Sequence, residues 1–228
     1  MTRAGRIYTI ILKLKSYKTG KLDAAWNGIF KTKDIFTTYC MLRKLHQEIK
    51  LLEQDLEQSD MKNDFYKPVM THLERIVSYN NFNASAQSVI NTMPDTILER
   101  LNGFMHNFGD NEETIELDID KDIKEMVEST DSIENEELKA LMLDITQTLV
   151  ESKIAIEIGG AKGLEETFKN LFCKISSNLD LLSQAPSNFK ESLYNATIKI
   201  KTKLESLDKV ITWIERGKNF LEFFDRLG

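Results

Sequence analysis

Histidine and cysteine side chains are the usual starting point for catalysis or metal binding, and this chain has few of them. It contains three histidines, His46, His72 and His106, and two cysteines, Cys40 and Cys173. No histidine belongs to an HExxH motif, and none lies at metal-ligand spacing from a cysteine. We therefore predict no metal site and no cofactor, and we expect Cys173 to be a core or boundary thiol.

Arg100 and His106 are the one pair whose spacing matches a known catalytic arrangement. Helical ribonucleases of the HEPN type place an arginine and a histidine at this spacing on a helix and pair two chains around RNA. The arginine then holds a phosphate, while the histidine helps to move the ribose 2′-hydroxyl proton. Leu101 occupies a position that is usually polar in that motif. A metal-independent ribonuclease is therefore a second alternative function, and we assign the chain to no family.

Two further motifs resemble parts of ligand sites. The DxDxD sequence at 118–122 begins like a calcium loop, but Ile123 replaces the glycine of the turn and Ser129 the bidentate glutamate. We therefore expect a solvated acidic face there. The GGAKG sequence at 159–163 lacks the spacer and the Lys-Ser/Thr pair of a phosphate-binding loop. Paired glycines favour a hinge between helices at this point.

The elements that would position these residues are predicted to be helices. Between residues 34 and 59, apolar side chains repeat every three or four positions, which is the spacing of a helical seam or coiled coil. Asp34 precedes the seam and can cap the helix by accepting a hydrogen bond from a free backbone N–H. The residues of this seam are Leu42, Leu45, Ile49, Leu52 and Leu56.

The same periodicity predicts helices along most of the remaining chain. Pro68 is expected in the first turn of its helix, where the missing N–H has little effect. The predicted segments are 64–79, 84–91, 94–108, 133–152, 164–182 and a long C-terminal helix over 187–216.

Three short segments alternate apolar and polar residues with period two and could form a small β element. They are residues 10–14, 115–119 and 154–158. The predicted fold class is mainly α, an elongated helical bundle with a long C-terminal helix and this β element as an option.

Charge suggests the domain organisation. Residues 1–33 carry eight basic residues and one acid, a net charge of +7, whereas residues 110–137 carry thirteen acids and two lysines, a net charge of −11. We predict a basic N-terminal segment (1–33), a helical half (34–109), an acidic connector (110–132) and a second helical half (133–228), with 34–228 forming one continuous bundle. The overall charge of −6 argues against nucleic-acid binding. The N-terminal segment lacks a signal-peptide cleavage site, which favours a cytoplasmic protein.

No complete catalytic motif is present, so the leading hypothesis is a non-enzymatic α-helical interaction or scaffold module. It would bind a protein partner, or a second copy of itself, through the Leu42–Leu56 seam and the aromatic C-terminus. The first alternative is a membrane-perturbing helical bundle. Aromatic residues lie beside basic residues both at Trp26, near the basic N-terminus, and at the C-terminus. Helices that bind an anionic membrane surface have this combination. The predicted C-terminal contact residues are Trp213, Phe220, Phe223 and Phe224.

Overall fold

The computed structural model describes residues 2–59, 61–107 and 115–207. Within these ranges the chain forms ten α-helices, one 3-10 turn and no β-strand. The prediction of a mainly α, helical-bundle fold is therefore confirmed.

Helix α3 (Ile35–Glu57) and the helices that begin at Asn63, Ala86, Asp95 and Ser187 start within two residues of the predicted positions. The helices over Arg3–Lys15, Leu22–Ile29 and Asp120–Thr130 are not among the predicted segments. Asp34 caps α3 as expected, because its carboxylate accepts hydrogen bonds from the backbone N–H groups of Phe36 at 3.2 Å and Thr37 at 2.7 Å. The predicted C-terminal helix is observed over its first part, and positions from 208 onward lie outside the described residues. The ten helices are α1 (Arg3–Lys15), α2 (Leu22–Ile29), α3 (Ile35–Glu57), α4 (Asn63–Val77), α5 (Ala86–Asn91), α6 (Asp95–Asn107), α7 (Asp120–Thr130), α8 (Glu136–Ser176), α9 (Leu179–Ser183) and α10 (Ser187–Ser206).

The chain divides into two compact units. Unit 1 consists of Met1–Thr114 together with Glu157–Gly160, and unit 2 consists of Ile115–Ile156 together with Ala161–Gly228. Each unit has its own buried apolar side chains.

Helix α1 is central to unit 1 and packs against α2, α3 and α6. Its apolar residues Ile7, Ile10, Ile11 and Leu14 are fully buried, whereas Leu12 and Lys13 are exposed. This spacing of three and four residues is helical, so the β element considered at 10–14 is wrong. A window of five residues is too short to distinguish the two-residue period of a strand from the 3.6-residue period of a helix. Ile7, which lies one turn before this window, is needed to recognise the helical spacing.

A buried ion pair joins α1 to α3. Arg6 and Glu48 are 7% and 6% exposed, and one Arg6 nitrogen lies 3.2 Å from the Glu48 carboxylate. The Arg6 Nε donates a hydrogen bond of 3.0 Å to the carbonyl oxygen of Ile158. Arg3 also donates to Glu48, at 3.0 Å. Because both charges are buried, removal of either partner would leave the other without compensation.

Helix α8 reverses its direction part-way along its length. Gly160 has φ 58° and ψ −134°, a conformation essentially restricted to glycine. Beyond this point the helix returns along its earlier part, since the Lys174 ammonium contacts the Asp144 carboxylate at 2.6 Å and the Thr148 hydroxyl at 2.8 Å. The predicted break at the GGAKG sequence is confirmed, and the chain there forms a helical hairpin.

The other two β segments do not form strands either. Residues 154–158 are helical within α8, where all but Glu157 are buried. Residues 115–119 lie before α7 and form no strand, although their burial alternates. Ile115, Leu117 and Ile119 face the core of unit 2, so the alternation reflects packing of one segment on helices, without a partner strand.

Gly163 is required by the close approach of the two arms of the hairpin. A Cβ added there would overlap the backbone carbonyl of Ala155 and lie 3.2 Å from the amide nitrogen of Ile156. Backbone atoms cannot rotate away as a side chain could. Gly159, four residues earlier, has no atom within 4 Å of the same added Cβ.

We predict that Gly163→Ala destabilises the protein by about 1–3 kcal/mol, because the hairpin arms must separate to accommodate the methyl group. Gly159→Ala is the matched control and should be neutral or stabilising by up to about 1 kcal/mol, as expected for glycine in a helix. Urea unfolding followed by circular dichroism measures both. Equal stability of the two variants would contradict the tight hairpin.

Candidate interaction surface

The predicted contact seam of α3 lies in the core of unit 1. Its five residues are at most 1% exposed, and α3 packs against α1, α2 and α4. The helices of the same unit therefore already cover these side chains, and a partner of the folded unit would have to contact another face of α3. The five residues are Leu42, Leu45, Ile49, Leu52 and Leu56.

The aromatic residues proposed for membrane contact fall into two groups. Trp26 and Phe30 are at most 1% exposed and stack on each other with ring centroids 5.4 Å apart. They belong to the core of unit 1. The C-terminal contact residues Trp213, Phe220, Phe223 and Phe224 lie outside the described residues.

The structure gives Arg100 a structural role. Its guanidinium donates hydrogen bonds to the carbonyl oxygens of Asp64 at 3.4 Å and Phe65 at 3.1 Å, and lies 4.9 Å from the centre of the Phe65 ring. In a helix the carbonyl of Asp64 would accept from the N–H four residues later, but that residue is Pro68. Arg100 therefore supplies a donor that α4 lacks.

His106 is not brought to the Arg100 guanidinium. It is exposed and lies six positions further along α6, which on an α-helix places it about 120° away around the axis. Pro68 also differs from expectation, since α4 begins at Asn63 and the proline lies beyond its first turn.

Two of the three acids of the DxDxD sequence form ion pairs. Asp122 is 4% exposed and accepts from the Lys199 ammonium at 2.8 Å, and Asp120 lies 2.5 Å from the Lys153 ammonium. The expectation of a solvated acidic face is therefore wrong for Asp122. Across the described part of the chain, no group of three His, Cys, Asp or Glu side chains could hold a metal ion.

Cys173 is exposed, and so is Cys40. The expectation of a core or boundary thiol at position 173 is therefore wrong. Among residues 2–59, 61–107 and 115–207, no helix has both the length and the apolar character needed to cross a bilayer.

The first turn of α3 carries a cluster of exposed apolar side chains. Phe36 is 73% exposed, Ile35 51% and Tyr39 36%, and Phe36 has the highest value among the large apolar side chains of the described residues. The Tyr39 ring rests on Phe82 with a centroid distance of 4.7 Å, so one edge of the cluster is held in place. We call Ile35, Phe36 and Tyr39 the α3 patch.

Basic residues surround the α3 patch. Lys31 and Lys33 precede it in the loop from α2, and Arg43 follows Phe36 by seven residues, about two turns along the same side of α3. All three are exposed, and none has a carboxylate within 4.0 Å among the described residues. Their charges are therefore available to a partner.

Lys31 adopts a backbone conformation that favours glycine. Its φ is 51°, and it is the one non-glycine residue of the described chain with a positive φ. It follows the end of α2, where the Lys31 N–H donates to the Gly28 carbonyl at 3.4 Å and the Thr32 N–H to the Asn27 carbonyl at 3.0 Å. This is a Schellman helix end, in which glycine usually occupies the position of Lys31.

Asp34 places a negative charge beside the patch. The hydroxyl and backbone N–H of Thr37 donate to its carboxylate and hold the pKa of Asp34 below its usual value. Asp34 is also exposed to water, and both factors favour its ionised form at neutral pH.

Comparison of the chain with protein families, curated proteins and solved structures found no match. Its function is therefore inferred from its own surface.

Sequence reasoning did not single out the α3 patch. The contact residues predicted on this helix are those of the Leu42–Leu56 seam, and Ile35, Phe36 and Tyr39 are not among them. A signal was present, however, because Phe36 lies six positions before Leu42, which on an α-helix places its ring about 120° around the axis from the seam. Apolar residues off the buried face of an amphipathic helix are potential contact residues.

We predict that Arg100→Ala lowers the free energy of unfolding by about 1–2 kcal/mol, because the Asp64 carbonyl loses its donor. Pro68→Ala restores an N–H to that carbonyl, so the effect of Arg100→Ala should be smaller in the Pro68→Ala background. A double-mutant cycle by urea unfolding measures this coupling. Additive effects would show that Arg100 does not compensate for the proline.

We also predict that Lys31→Gly raises the free energy of unfolding by about 1 kcal/mol, because glycine adopts a positive φ without strain. Lys33→Gly is the control, since it removes the same charge from the same loop at a residue with an ordinary φ. Thermal and urea unfolding of both variants measure the difference. A gain in stability for Lys33→Gly as large as for Lys31→Gly would contradict the proposed strain.

Proposed function

We propose that the chain is a non-enzymatic, cytoplasmic helical interaction module that binds another protein through the α3 patch. The observation that carries this proposal is the exposure of Phe36, at 73%, on a helix whose leucine seam is buried. A phenylalanine in this position leaves its apolar surface in water, and a partner that covers it would gain binding energy.

The composition of the surface supports protein binding. Aromatic residues and arginine are enriched at the centres of protein interfaces, with polar groups around them. Phe36 and Tyr39 would supply the centre, and Lys31, Lys33 and Arg43 the rim. The strain at Lys31 also supports a role for this loop, because strained backbone is often associated with functional sites.

A protein partner suits this surface better than a membrane. Insertion of Ile35 into the acyl region would carry the neighbouring Asp34 carboxylate towards hydrocarbon, and the hydrogen bonds from Thr37 that lower its pKa favour the charged form. The wet, polar rim of a protein interface accommodates such a charge. The buried positions of Trp26 and Phe30 also remove two aromatic residues that a membrane site would need.

The proposal can be tested by comparing Phe36→Ser with Leu12→Ser in the full chain. Leu12 is 47% exposed and lies on α1 of the same unit, so its variant controls for the loss of one exposed apolar side chain. We expect proteins that co-purify with the wild type from its native cell to be retained by Leu12→Ser and reduced at least about tenfold by Phe36→Ser. Quantitative mass spectrometry gives the comparison.

Two results would contradict the proposal. One is a set of co-purifying proteins that Phe36→Ser leaves unchanged. The other is sedimentation of the wild type, and not of Phe36→Ser, with vesicles of phosphatidylserine and phosphatidylcholine, which would identify the target as an anionic membrane. Circular dichroism must first show equal helix content in both variants.

A further inference from the structure

The start of α8 in unit 2 carries exposed acidic residues, which are opposite in charge to the basic residues around the α3 patch. Glu134, Glu136 and Glu137 are exposed, and none has a basic group within 4.0 Å among the described residues. The backbone at this helix end is capped by Asn135, whose side-chain oxygen accepts from the N–H groups of Glu137 and Leu138 at 3.1 Å each. The three carboxylates are thus not needed to cap the helix.

An exposed apolar side chain lies beside these carboxylates. Leu143 is 45% exposed, and Ala140 is exposed one turn before it. Residues 136, 140 and 143 follow one another at intervals of four and three, so they share one side of α8. We call Glu134, Glu136, Glu137, Ala140 and Leu143 the α8 face.

The α3 patch with its surroundings and the α8 face both combine exposed apolar side chains with charged residues, and the charges are of opposite sign. Each has exposed apolar side chains with three charges around them that have no ion-pair partner among the described residues. These are Lys31, Lys33 and Arg43 on one, which outnumber the single Asp34 carboxylate there, and three glutamates on the other. Such complementarity orients two surfaces and disfavours contact between like surfaces. The α8 face is therefore a suitable partner for the α3 patch, whereas a second α3 patch is not.

We propose that the α3 patch of one copy binds the α8 face of a second copy of this chain. This inference rests on the proposed function, because it names the partner of the same surface. The two surfaces differ, so the contact is head to tail, and each copy in a pair retains one free surface. Repetition of the contact gives a ring or an open chain of copies.

Charge reversal tests this contact. The first variant, Lys31→Glu/Lys33→Glu/Arg43→Glu, makes the surroundings of the α3 patch acidic. The second, Glu134→Lys/Glu136→Lys/Glu137→Lys, makes the α8 face basic. Both leave the caps Asp34 and Asn135 in place, so α3 and α8 should still form, which circular dichroism and thermal unfolding check.

Sedimentation velocity at low salt measures the outcome. We expect the wild type to exceed its monomer mass of 26.3 kDa as its concentration rises, and each reversed variant to remain monomeric because its two surfaces repel. An equimolar mixture of the two variants should form a complex, since the first retains a native α8 face and the second a native α3 patch. Salt at 0.5 M should weaken both associations at least about tenfold.

Apolar contacts provide a second test. Phe36→Ser and Leu143→Ser should each weaken self-association of the wild type, whereas Leu12→Ser should not. A wild type that stays monomeric at all concentrations, an association that neither charge reversal weakens, or a mixture of the two folded variants that forms no complex would each overturn the proposal.

These outcomes separate this inference from the proposed function. If the wild type is monomeric while Phe36→Ser still loses co-purifying proteins, the α3 patch binds a different protein and only the second-copy inference fails. If Phe36→Ser affects neither self-association nor co-purification, the proposed function fails as well.

Discussion

Burial of the leucine seam inside unit 1 determines which part of α3 can contact another molecule. An amphipathic helix has one apolar stripe, and here α1, α2 and α4 pack around α3 while the seam residues are almost fully buried. The stripe therefore stabilises the unit. Contact with a partner is left to apolar residues that the unit does not cover, and these occur together near the start of α3, where Phe36 is 73% exposed. The function proposed for the chain follows from this division of the helix.

Lys31, in the loop between α2 and α3, combines a strained backbone conformation with an exposed positive charge. The end of α2 requires a left-handed residue so that its last carbonyl groups are hydrogen-bonded, and glycine would satisfy that requirement without strain. A lysine at the same position makes the same backbone hydrogen bonds and adds a positive charge next to Ile35 and Phe36. Stability alone does not explain this choice, whereas the binding role that we propose for the α3 patch would give the positive charge a function.

The sequence predicted those features that depend on neighbours along the chain. The period of the apolar residues identified most helices, Asp34 was correctly assigned as a cap, and paired glycines marked the break at Gly160. The prediction of β-strands at 10–14 and 154–158 was wrong. It rested on an alternation of apolar and polar residues over only five positions, and a helix with a buried face can show the same short pattern.

Other features could not be predicted because they depend on tertiary contacts. Arg100 was considered for catalysis, yet its partners are carbonyl groups of α4, one of which lacks its usual donor because of Pro68. No spacing within α6 reveals that gap. Exposure of Cys173 likewise depends on which side of α8 is covered by its neighbours.

The charge asymmetry of the sequence is only partly present at the surface. In the basic N-terminal segment, Arg3, Arg6, Lys13 and Lys15 form ion pairs within unit 1. The charge that remains available follows them, at Lys31 and Lys33 among others. In the acidic region, Asp120 and Asp122 pair with lysines of unit 2, whereas the exposed glutamates at the start of α8 have no ion-pair partner among the described residues.

Net charge of a segment is therefore a poor guide to binding, because paired charges serve the fold. What can attract a partner is the unpaired remainder, and in each unit part of that remainder, among the described residues, lies beside exposed apolar side chains. Unpaired charges beside apolar groups combine long-range attraction with a short-range contact that excludes water. When two such surfaces of opposite charge belong to the same chain, they are always present at equal concentration. Binding between copies would therefore require no other protein.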